Sequence, residues 1–189
     1  MHGGYVKKSN LKNWVISNSK VCSFGAHLYL EPNIKTLPVM SIPFQSELTV
    51  TEESRDFFEL NTGQYIHKMH VEPITETKKD FTKTAEKYLG VPYLWGGNSQ
   101  YGLDCSGLIS LALRNAAYNS PGDSSDQAKE LGNTINKNEH LKRSDLIFWE
   151  GHVGVMLDEK NLLHANGYHM KVIEEPLEVA KERIETNGG

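Results

Sequence analysis

The fold of the second half of this chain is decided by the run Leu103-Asp104-Cys105-Ser106-Gly107, which is followed by the apolar residues 108–113. The apolar stretch predicts a helix and so places Cys105 at or near a helix N-terminus. Unpaired backbone N–H groups carry partial positive charge there and favour a thiolate over a thiol. A buried cysteine in apolar surroundings is instead inert, so this run alone is compatible with either a structural or a nucleophilic Cys105.

Two histidines further along the chain favour the nucleophilic role. His152 lies in the segment 151–155 and His164 in the segment 162–165, and both segments are short, apolar and typical of strands. An imidazole without a partner would be costly to bury in such a strand. A thiol at a helix start, a base on a strand and a second polar group that orients the base are the components of a cysteine nucleophile site. The sequence therefore predicts Cys105, His152 and His164 as catalytic residues.

Four motifs, taken in order, carry a family resemblance. They are Gly90-Val91-Pro92-Tyr93-Leu94-Trp95-Gly96-Gly97, Gly102-Leu103-Asp104-Cys105-Ser106-Gly107, Gly151-His152-Val153-Gly154 and Leu163-His164-Ala165. They resemble the NlpC-type (NlpC/P60) cell-wall cysteine peptidase family, and the resemblance covers residues 78–189. It implies a papain-like fold. In the expected chemistry Cys105 attacks the carbonyl carbon and forms a thioester, and His152 holds the thiolate as an ion pair and then protonates the leaving amine. His164 is expected to fix the tautomer of His152. The resemblance also implies that the Tyr93 hydroxyl faces the cleft, and the Cys105 backbone N–H at the helix start is the expected oxyanion donor.

Residues around the nucleophile suggest a substrate. Asp104 can cap the predicted helix, but its charge would raise the thiol pKa, and this suggests a substrate role as well. In the family subgroup that cuts between D-glutamate and a diamino acid, the matching Asp and Ser bind the free amine of an N-terminal L-alanine. Asp104 and Ser106 fit those positions and Ser124 fits a further substrate-contacting serine, whereas Gly122 stands where the family usually has arginine. The resemblance thus implies peptidoglycan stem peptides (muropeptides) as the partners, cut at the γ-D-glutamyl–diamino acid bond.

Residues 17–72 show a different pattern, with short alternating segments separated by turn-forming residues. This pattern predicts a small β-barrel with strands at 19–23, 47–51, 57–60 and 65–67. The runs 26–32 and 43–50 resemble the bacterial SH3-like barrels that often precede NlpC-type domains. A faint repeat relates residues 3–12 to residues 63–72, and it predicts that residues 1–16 are a remnant of a preceding barrel. The predicted domains are this remnant, an SH3-like β-barrel at 17–73 and an NlpC-type domain at 78–189.

Helical spacing replaces the strand pattern from Thr77 onward. Helices are predicted at 78–89, 105–117, 124–131 and 176–184, with Pro176 in the first turn of the last. Antiparallel strands are predicted at 146–149, 152–157, 161–165 and 170–173. Helices first and strands after indicate an α+β domain, in which helices pack on an antiparallel sheet.

The amino-acid composition limits the classes of protein to which this chain can belong. The 189 residues are 38% hydrophobic and 23% charged with a net charge of −4, which is typical of a globular protein and does not favour a nucleic-acid partner. No window predicts a membrane span. Residues 1–5 lack the apolar core of a signal peptide, so the chain as given is expected in the cytoplasm, or in the periplasm or outside the cell if its N-terminus is truncated. Cys22 and Cys105 make no disulfide framework, and the histidine spacing predicts no metal site and no cofactor.

Two alternatives to a peptidase remain open at this point. The chain could be a non-catalytic wall-binding protein that uses the barrel and a degenerate peptidase fold. It could also be an amidase or acyltransferase that uses the same residues, because the motifs around a nucleophile do not specify the acyl acceptor.

Overall fold

The computed structural model describes residues 5–11, 15–136 and 139–187, and the chain divides into two compact units on either side of the boundary between Glu76 and Thr77. The first unit contains strands and short 3₁₀ turns, and the second contains helices and strands. Within the described ranges, no helix combines the length and the apolar character needed to cross a bilayer.

The N-terminal unit consists of two antiparallel sheets. A five-stranded sheet has the order β3-β2-β7-β6-β5, and a three-stranded sheet has the order β4-β1-β8. Val21 of the smaller sheet and Ile66 of the larger one are fully buried in the same hydrophobic cluster, so the two sheets enclose one core. The strands are β1 (Ser19–Val21), β2 (Ala26–Tyr29), β3 (Met40–Ile42), β4 (Glu47–Leu48), β5 (Val50–Glu53), β6 (Phe57–Leu60), β7 (Tyr65–His67) and β8 (Val71–Pro73).

Several strands of this unit differ from the prediction. The segment predicted at 47–51 is divided between β4 and β5, which belong to different sheets. Strands β2, β3 and β8 were not among the predicted segments. Proline flanks β3 and ends β8, and proline within or beside an apolar run weakens the strand pattern in a sequence.

The two copies of the faint repeat adopt the same local conformation where both are described. Lys8–Asn10 and Lys68–His70 occupy equivalent positions, and each forms a 3₁₀ turn. The residue before each turn is extended, with φ −62° and ψ 133° at Lys7 and φ −68° and ψ 133° at His67. Residues 3, 4 and 12 of the first copy lie outside the described residues.

The C-terminal unit places helices on an antiparallel sheet. Its main sheet has four strands in the order β11-β12-β13-β14, and a separate two-stranded pair is formed by β9 and β10. This arrangement confirms the predicted mixture of helices and antiparallel sheet. The elements are α1 (Phe81–Glu86), β9 (Asn98–Ser99), β10 (Gly102–Leu103), α2 (Cys105–Asn115), α3 (Ser124–Glu130), β11 (Leu146–Trp149), β12 (His152–Met156), β13 (Asn161–Asn166), β14 (Lys171–Pro176) and α4 (Leu177–Asn187).

Helix α2 is the core helix of this unit. Leu108, Ile109 and Ala112 are fully buried, and the helix packs against β12 and β13. Every residue of β12 is buried, because the strand is paired on both sides and covered by α2. Removing this much apolar surface from water is the main favourable contribution to folding the unit.

The helix ends differ from the predicted ones for local reasons. Helix α1 starts only at Phe81, where the Asp80 carboxylate accepts the backbone N–H of Lys83 at 3.0 Å as an N-cap. Helix α2 ends at Asn115 because Ala117 adopts a positive φ of 63°, which is incompatible with a continuing helix. Pro176 was predicted in the first turn of the last helix, but it pairs with Asn161 as the final residue of β14.

Candidate active site

The start of α2 is fixed by the side chain of Asp104. One carboxylate oxygen accepts the backbone N–H of Gly107 at 2.7 Å and the hydroxyl of Ser106 at 3.2 Å. The other oxygen accepts the backbone N–H of Gly96 at 2.8 Å. Asp104 therefore caps the helix and also ties its first turn to the loop that precedes β9.

Glycines allow the chain segments around the nucleophile to come close together. A Cβ added at Gly107 would lie 2.3 Å from the carbonyl oxygen of Gly97, and one added at Gly97 would lie 2.5 Å from the carbonyl oxygen of Gly102. Real Cβ atoms do not approach backbone this closely, so these positions need glycine. The glycines of the first two motifs thus pack the loop against the first turn of α2.

The thiol of Cys105 lies against the start of β12. Its sulfur is 3.9 Å from the carbonyl oxygen of Gly151, and the backbone N–H of Val153 also points at it. These two residues flank His152 in the chain, so Cys105 and His152 meet at the same point of the fold. Cys105 is 8% exposed, and its backbone N–H lies in the first turn of α2, where N–H groups have no partner within the helix.

His152 and His164 are paired on adjacent strands. The Nε2 atom of His152 lies 2.8 Å from the Nδ1 atom of His164, and their ring centroids are 5.0 Å apart at an interplanar angle of 71°. The exposed fractions are 3% for His152 and 0% for His164. Gly154 makes room for this pair, because a Cβ there would lie 3.1 Å from the Cβ of His164 and 2.8 Å from the Cδ1 of Leu162.

A buried ion pair continues the network beyond His164. Glu175 places Oε1 at 2.6 Å from the Nε2 atom of His164, and Arg183 of α4 binds the same carboxylate oxygen. The side-chain nitrogen of Asn166 lies 2.9 Å from the same Nε2 atom. The chain of contacts therefore runs from the Cys105 region through both histidines to the last helix.

Sequence reasoning missed Glu175, Arg183 and Asn166. Glu175 follows another glutamate near the end of a strand, and Arg183 lies in a helix rich in charged residues, so both resemble solvent-exposed charges. Their proximity to His164 depends on the register of β13 with β14, in which Leu162 faces Glu175, and on the position of α4. The register puts Glu175 on the same face of the sheet as His164, and no sequence motif signals it.

Burial sets the protonation of Cys105, His152 and His164. Burial raises the pKa of the Cys105 thiol, and the neighbouring Asp104 charge raises it further against the opposing effect of the backbone N–H groups. Burial, followed by the charge of His164, lowers the pKa of His152 to about 4. Burial and the charge of Arg183 lower the pKa of His164 to about 3. At neutral pH the thiol and both imidazoles are therefore neutral, which is opposite to the thiolate predicted from the helix N-terminus, because desolvation outweighs the helix contribution.

The remaining predicted site residues lie on the loop before β9, on α2 and on α3. Tyr93 is half-buried, and its pKa is raised by burial and by the charges of Cys105 and Asp104, so its hydroxyl lies in the same environment. Ser106 is buried and directs its hydroxyl to Asp104. Ser124 is the first residue of α3, which packs against α2 and β12, and Gly122 lies in the bend before it.

Gln127 is a further buried polar residue that sequence reasoning missed. Its side-chain nitrogen donates to the carbonyl oxygen of Ser106 at 3.0 Å and approaches the hydroxyl of Ser110 at 3.1 Å. Gln127 thereby ties α3 to the first turn of α2, directly behind Cys105.

The chain is similar to known proteins in sequence and in fold. Residues 90–183 match the NlpC/P60 family model. The gamma-D-glutamyl-L-lysine dipeptidyl-peptidase of Bacillus subtilis (strain 168) is 29% identical over 140 residues, which cover 67% of this chain and 47% of that protein. The protein of the same name from Bacillus cereus (strain ATCC 10987 / NRS 248) is 30% identical over 159 residues, which cover 74% of this chain and 47% of that protein. The chain thus spans about half the length of these curated relatives.

A solved structure shows the same likeness. The crystal structure of an NlpC/P60 family protein from Bacillus cereus ATCC 10987 superposes with a TM-score of 0.70 at 26% identity, and the match covers 85% of this chain and 58% of that one. The matched residues 90–183 contain the thiol, both histidines, Glu175 and Arg183. The chain described here therefore carries a domain of the NlpC/P60 family.

Proposed function

We propose that this chain is a cysteine peptidase that hydrolyses peptides derived from peptidoglycan. The observation that carries the proposal is the contact of His152 with His164 at 2.8 Å, at the point where the Cys105 thiol meets the start of β12. Family membership and two relatives named gamma-D-glutamyl-L-lysine dipeptidyl-peptidases support it. The bond proposed is the one between D-glutamate and the diamino acid of a stem peptide.

The first chemical step is acylation of the thiol. Because the thiol and the imidazole are both neutral at rest, the proton moves from the sulfur of Cys105 to Nδ1 of His152 as the sulfur attacks the carbonyl carbon. The oxyanion that forms can accept the backbone N–H of Cys105, and the Tyr93 hydroxyl is the second candidate donor. Loss of one such donor typically costs about 3 kcal/mol of transition-state stabilisation.

The second step releases the products. His152 returns the proton from Nδ1 to the leaving amine, and the C–N bond breaks to give a thioester on Cys105. A water molecule then loses a proton to the same nitrogen and attacks the thioester carbon. The C–S bond breaks, the sulfur takes the proton back from Nδ1 of His152, and the L-Ala-γ-D-Glu product leaves with a new carboxyl group. His164 keeps the imidazole of His152 in one orientation through both halves of the reaction.

The amine-binding role of Asp104 remains compatible with its structural role. Both oxygens of the carboxylate already accept backbone N–H groups, but an ionised carboxylate offers about four acceptor positions. An ammonium group of an N-terminal L-alanine can therefore bind Asp104 in addition to the cap, with Ser106 beside it. Ser124 is proposed as a further contact to the substrate, on the helix that packs against α2.

The N-terminal unit is proposed to be an SH3-like β-barrel at residues 17–73, ahead of a peptidase domain at 78–189. Two antiparallel sheets around a single core support this assignment. The matching 3₁₀ turns at Lys8–Asn10 and Lys68–His70 support the proposal that residues 1–16 correspond to the closing segment of another barrel.

The proposed activity is tested with the tripeptide L-Ala-γ-D-Glu-diamino acid, its N-acetylated form and a conventional α-linked tripeptide, with products identified by mass spectrometry. We expect release of L-Ala-γ-D-Glu from the free-amine peptide and little cleavage of the acetylated one. Cys105→Ala should abolish turnover, and the matched change Cys22→Ser should not. Turnover by Cys105→Ala, or no turnover by a folded wild-type chain, would overturn the proposal.

The same panel separates the alternatives. An amidase or acyltransferase would leave the γ-glutamyl peptide intact and act on other acyl donors. A non-catalytic wall-binding protein would retain wall fragments on a column and release no product from any of them.

A further inference from the structure

Glu175 is the first group beyond the three catalytic residues in the contact chain. Its carboxylate is 8% exposed, and Oε1 lies 2.6 Å from Nε2 of His164. Arg183 binds the same oxygen, and its guanidinium also lies 4.9 Å from the centre of the Tyr168 ring. Arg183 thus pairs its permanent charge with the carboxylate and fixes the carboxylate beside His164.

The position of the carboxylate dictates where the protons of both histidines lie. An ionised carboxylate only accepts hydrogen bonds, so Nε2 of His164 must carry a hydrogen to bind Glu175. A neutral imidazole has a single N–H, so Nδ1 of His164 is then an acceptor. Nε2 of His152, at 2.8 Å, must therefore be the donor in the pair. This leaves Nδ1 of His152 unprotonated, on the residue whose two chain neighbours, Gly151 and Val153, contact the Cys105 sulfur.

Asn166 favours the opposite tautomer of His164. Its side-chain oxygen accepts the backbone N–H of His169 at 2.7 Å, which turns its amino group towards Nε2 of His164 at 2.9 Å. An amino group donates to an unprotonated Nε2 of His164. In that tautomer the ring hydrogen of His164 lies on Nδ1. His152 would then accept at Nε2 and carry its hydrogen on Nδ1, where it could not take the thiol proton. The carboxylate of Glu175 determines the tautomer of His164, because a charge-assisted hydrogen bond is roughly twice as strong as a neutral one.

We propose that Glu175, held by Arg183, is a positioning residue that sets the tautomers of His164 and His152 and so leaves Nδ1 of His152 free to accept the proton of Cys105. Glu175 does not touch the substrate and acts only through the histidines. The proposal rests on the proposed cysteine peptidase function and adds to it the origin of the catalytic tautomer.

The test is Glu175→Leu, which removes the acceptor of the Nε2 hydrogen of His164 and leaves the amino group of Asn166 beside that nitrogen. We expect both tautomers to reverse, kcat to fall by about 100-fold or more, and KM to change little; a wrong tautomer in a Ser-His-Asp site costs about 10⁴ in kcat. The direct readout is ¹⁵N NMR of the histidine rings at pH 7. It should show hydrogen on Nε2 of His164 in the wild type and on Nδ1 in the variant.

Two further variants keep the test independent of folding. Glu174→Gln alters the exposed neighbour of Glu175 and should leave kcat and the tautomers unchanged. The double variant Glu175→Leu/Arg183→Met removes the unpaired charge that Glu175→Leu leaves behind. It should melt higher than Glu175→Leu while keeping the reversed tautomer and the low kcat.

The outcomes separate this proposal from the proposed function. If the wild type cleaves the tripeptide and Glu175→Leu keeps kcat within threefold or keeps hydrogen on Nε2 of His164, the positioning role is overturned. If the folded wild type cleaves nothing, the peptidase proposal fails. The NMR comparison of wild type and variant then still decides whether Glu175 sets the tautomers.

Discussion

Lowering the pH should destabilise this protein through its two buried histidines, His152 and His164. In the folded protein the pKa of His152 lies at about 4, against 6.5 for an unperturbed histidine. Between these values the unfolded chain binds a proton at this position and the folded chain does not, so the free energy of unfolding decreases as the pH falls. A difference of about 2.5 pKa units corresponds to about 3 kcal/mol lost by pH 4 for His152 alone. Protonation of His164, whose pKa is lowered to about 3, also reduces the free energy of unfolding over this pH range. The two histidines are coupled, so their contributions to the free energy of unfolding do not add.

The assay is urea unfolding followed by tryptophan fluorescence at pH 7, 6 and 5. Trp149 is a suitable reporter because its ring centroid lies 5.7 Å from that of His152. The free energy of unfolding of the wild type should decrease as the pH falls. In His152→Gln this decrease should be smaller by about 1.4 kcal/mol per pH unit, the value that corresponds to one proton. Equal slopes for wild type and variant would refute the claim that burial keeps His152 neutral in the folded state.

Three further outcomes are expected. In a Cys22→Ser background, alkylation of Cys105 by iodoacetamide should be slow at pH 7 and rise only above pH 9, since burial raises the thiol pKa; a rate plateau from pH 5 to 8 would instead indicate a resting thiolate–imidazolium pair. Gly154→Ala should displace His164, lower kcat and cost about 1–3 kcal/mol of stability by overpacking, measured by turnover and urea unfolding. Asp104→Ala should cost about 1–2 kcal/mol through loss of the N-cap and raise KM for the free-amine tripeptide more than for its acetylated form; an equal effect on both would argue against an amine contact.

Local motifs were sufficient to predict the secondary-structure elements that carry Cys105, His152 and His164. Cys105 begins α2, and His152 and His164 lie on β12 and β13, because each sits in a short run whose glycine, cap or apolar pattern is visible in the sequence. The helices and the four strands of the main sheet followed from the same periodicity, whereas the two-residue strands β9 and β10 were not predicted. The ends were less accurate, as at Pro176, because pairing across the sheet overrode a local preference for a helix start.

Properties that depend on tertiary packing could not be predicted. The thiol pKa was expected to be lowered by the helix N-terminus, but burial of Cys105 raises it, and burial is known only from the fold. The contact of Glu175 with His164 requires the register of two strands, and the contact of Arg183 requires the placement of α4 against them. Neither is encoded in a motif, so the proton arrangement of the site was not visible in the sequence.

The location of Arg183 in α4 has a consequence for how activity is acquired. The thiol and both histidines precede this helix in the chain, and the ribosome therefore completes all three before the guanidinium that anchors Glu175 is made. A shortened product ending ahead of α4 would contain every reacting atom but would lack the anchor for the carboxylate. Under the proposed function, hydrolytic activity would therefore arise late in synthesis, and removal of α4 by a protease would lower it without altering Cys105, His152 or His164.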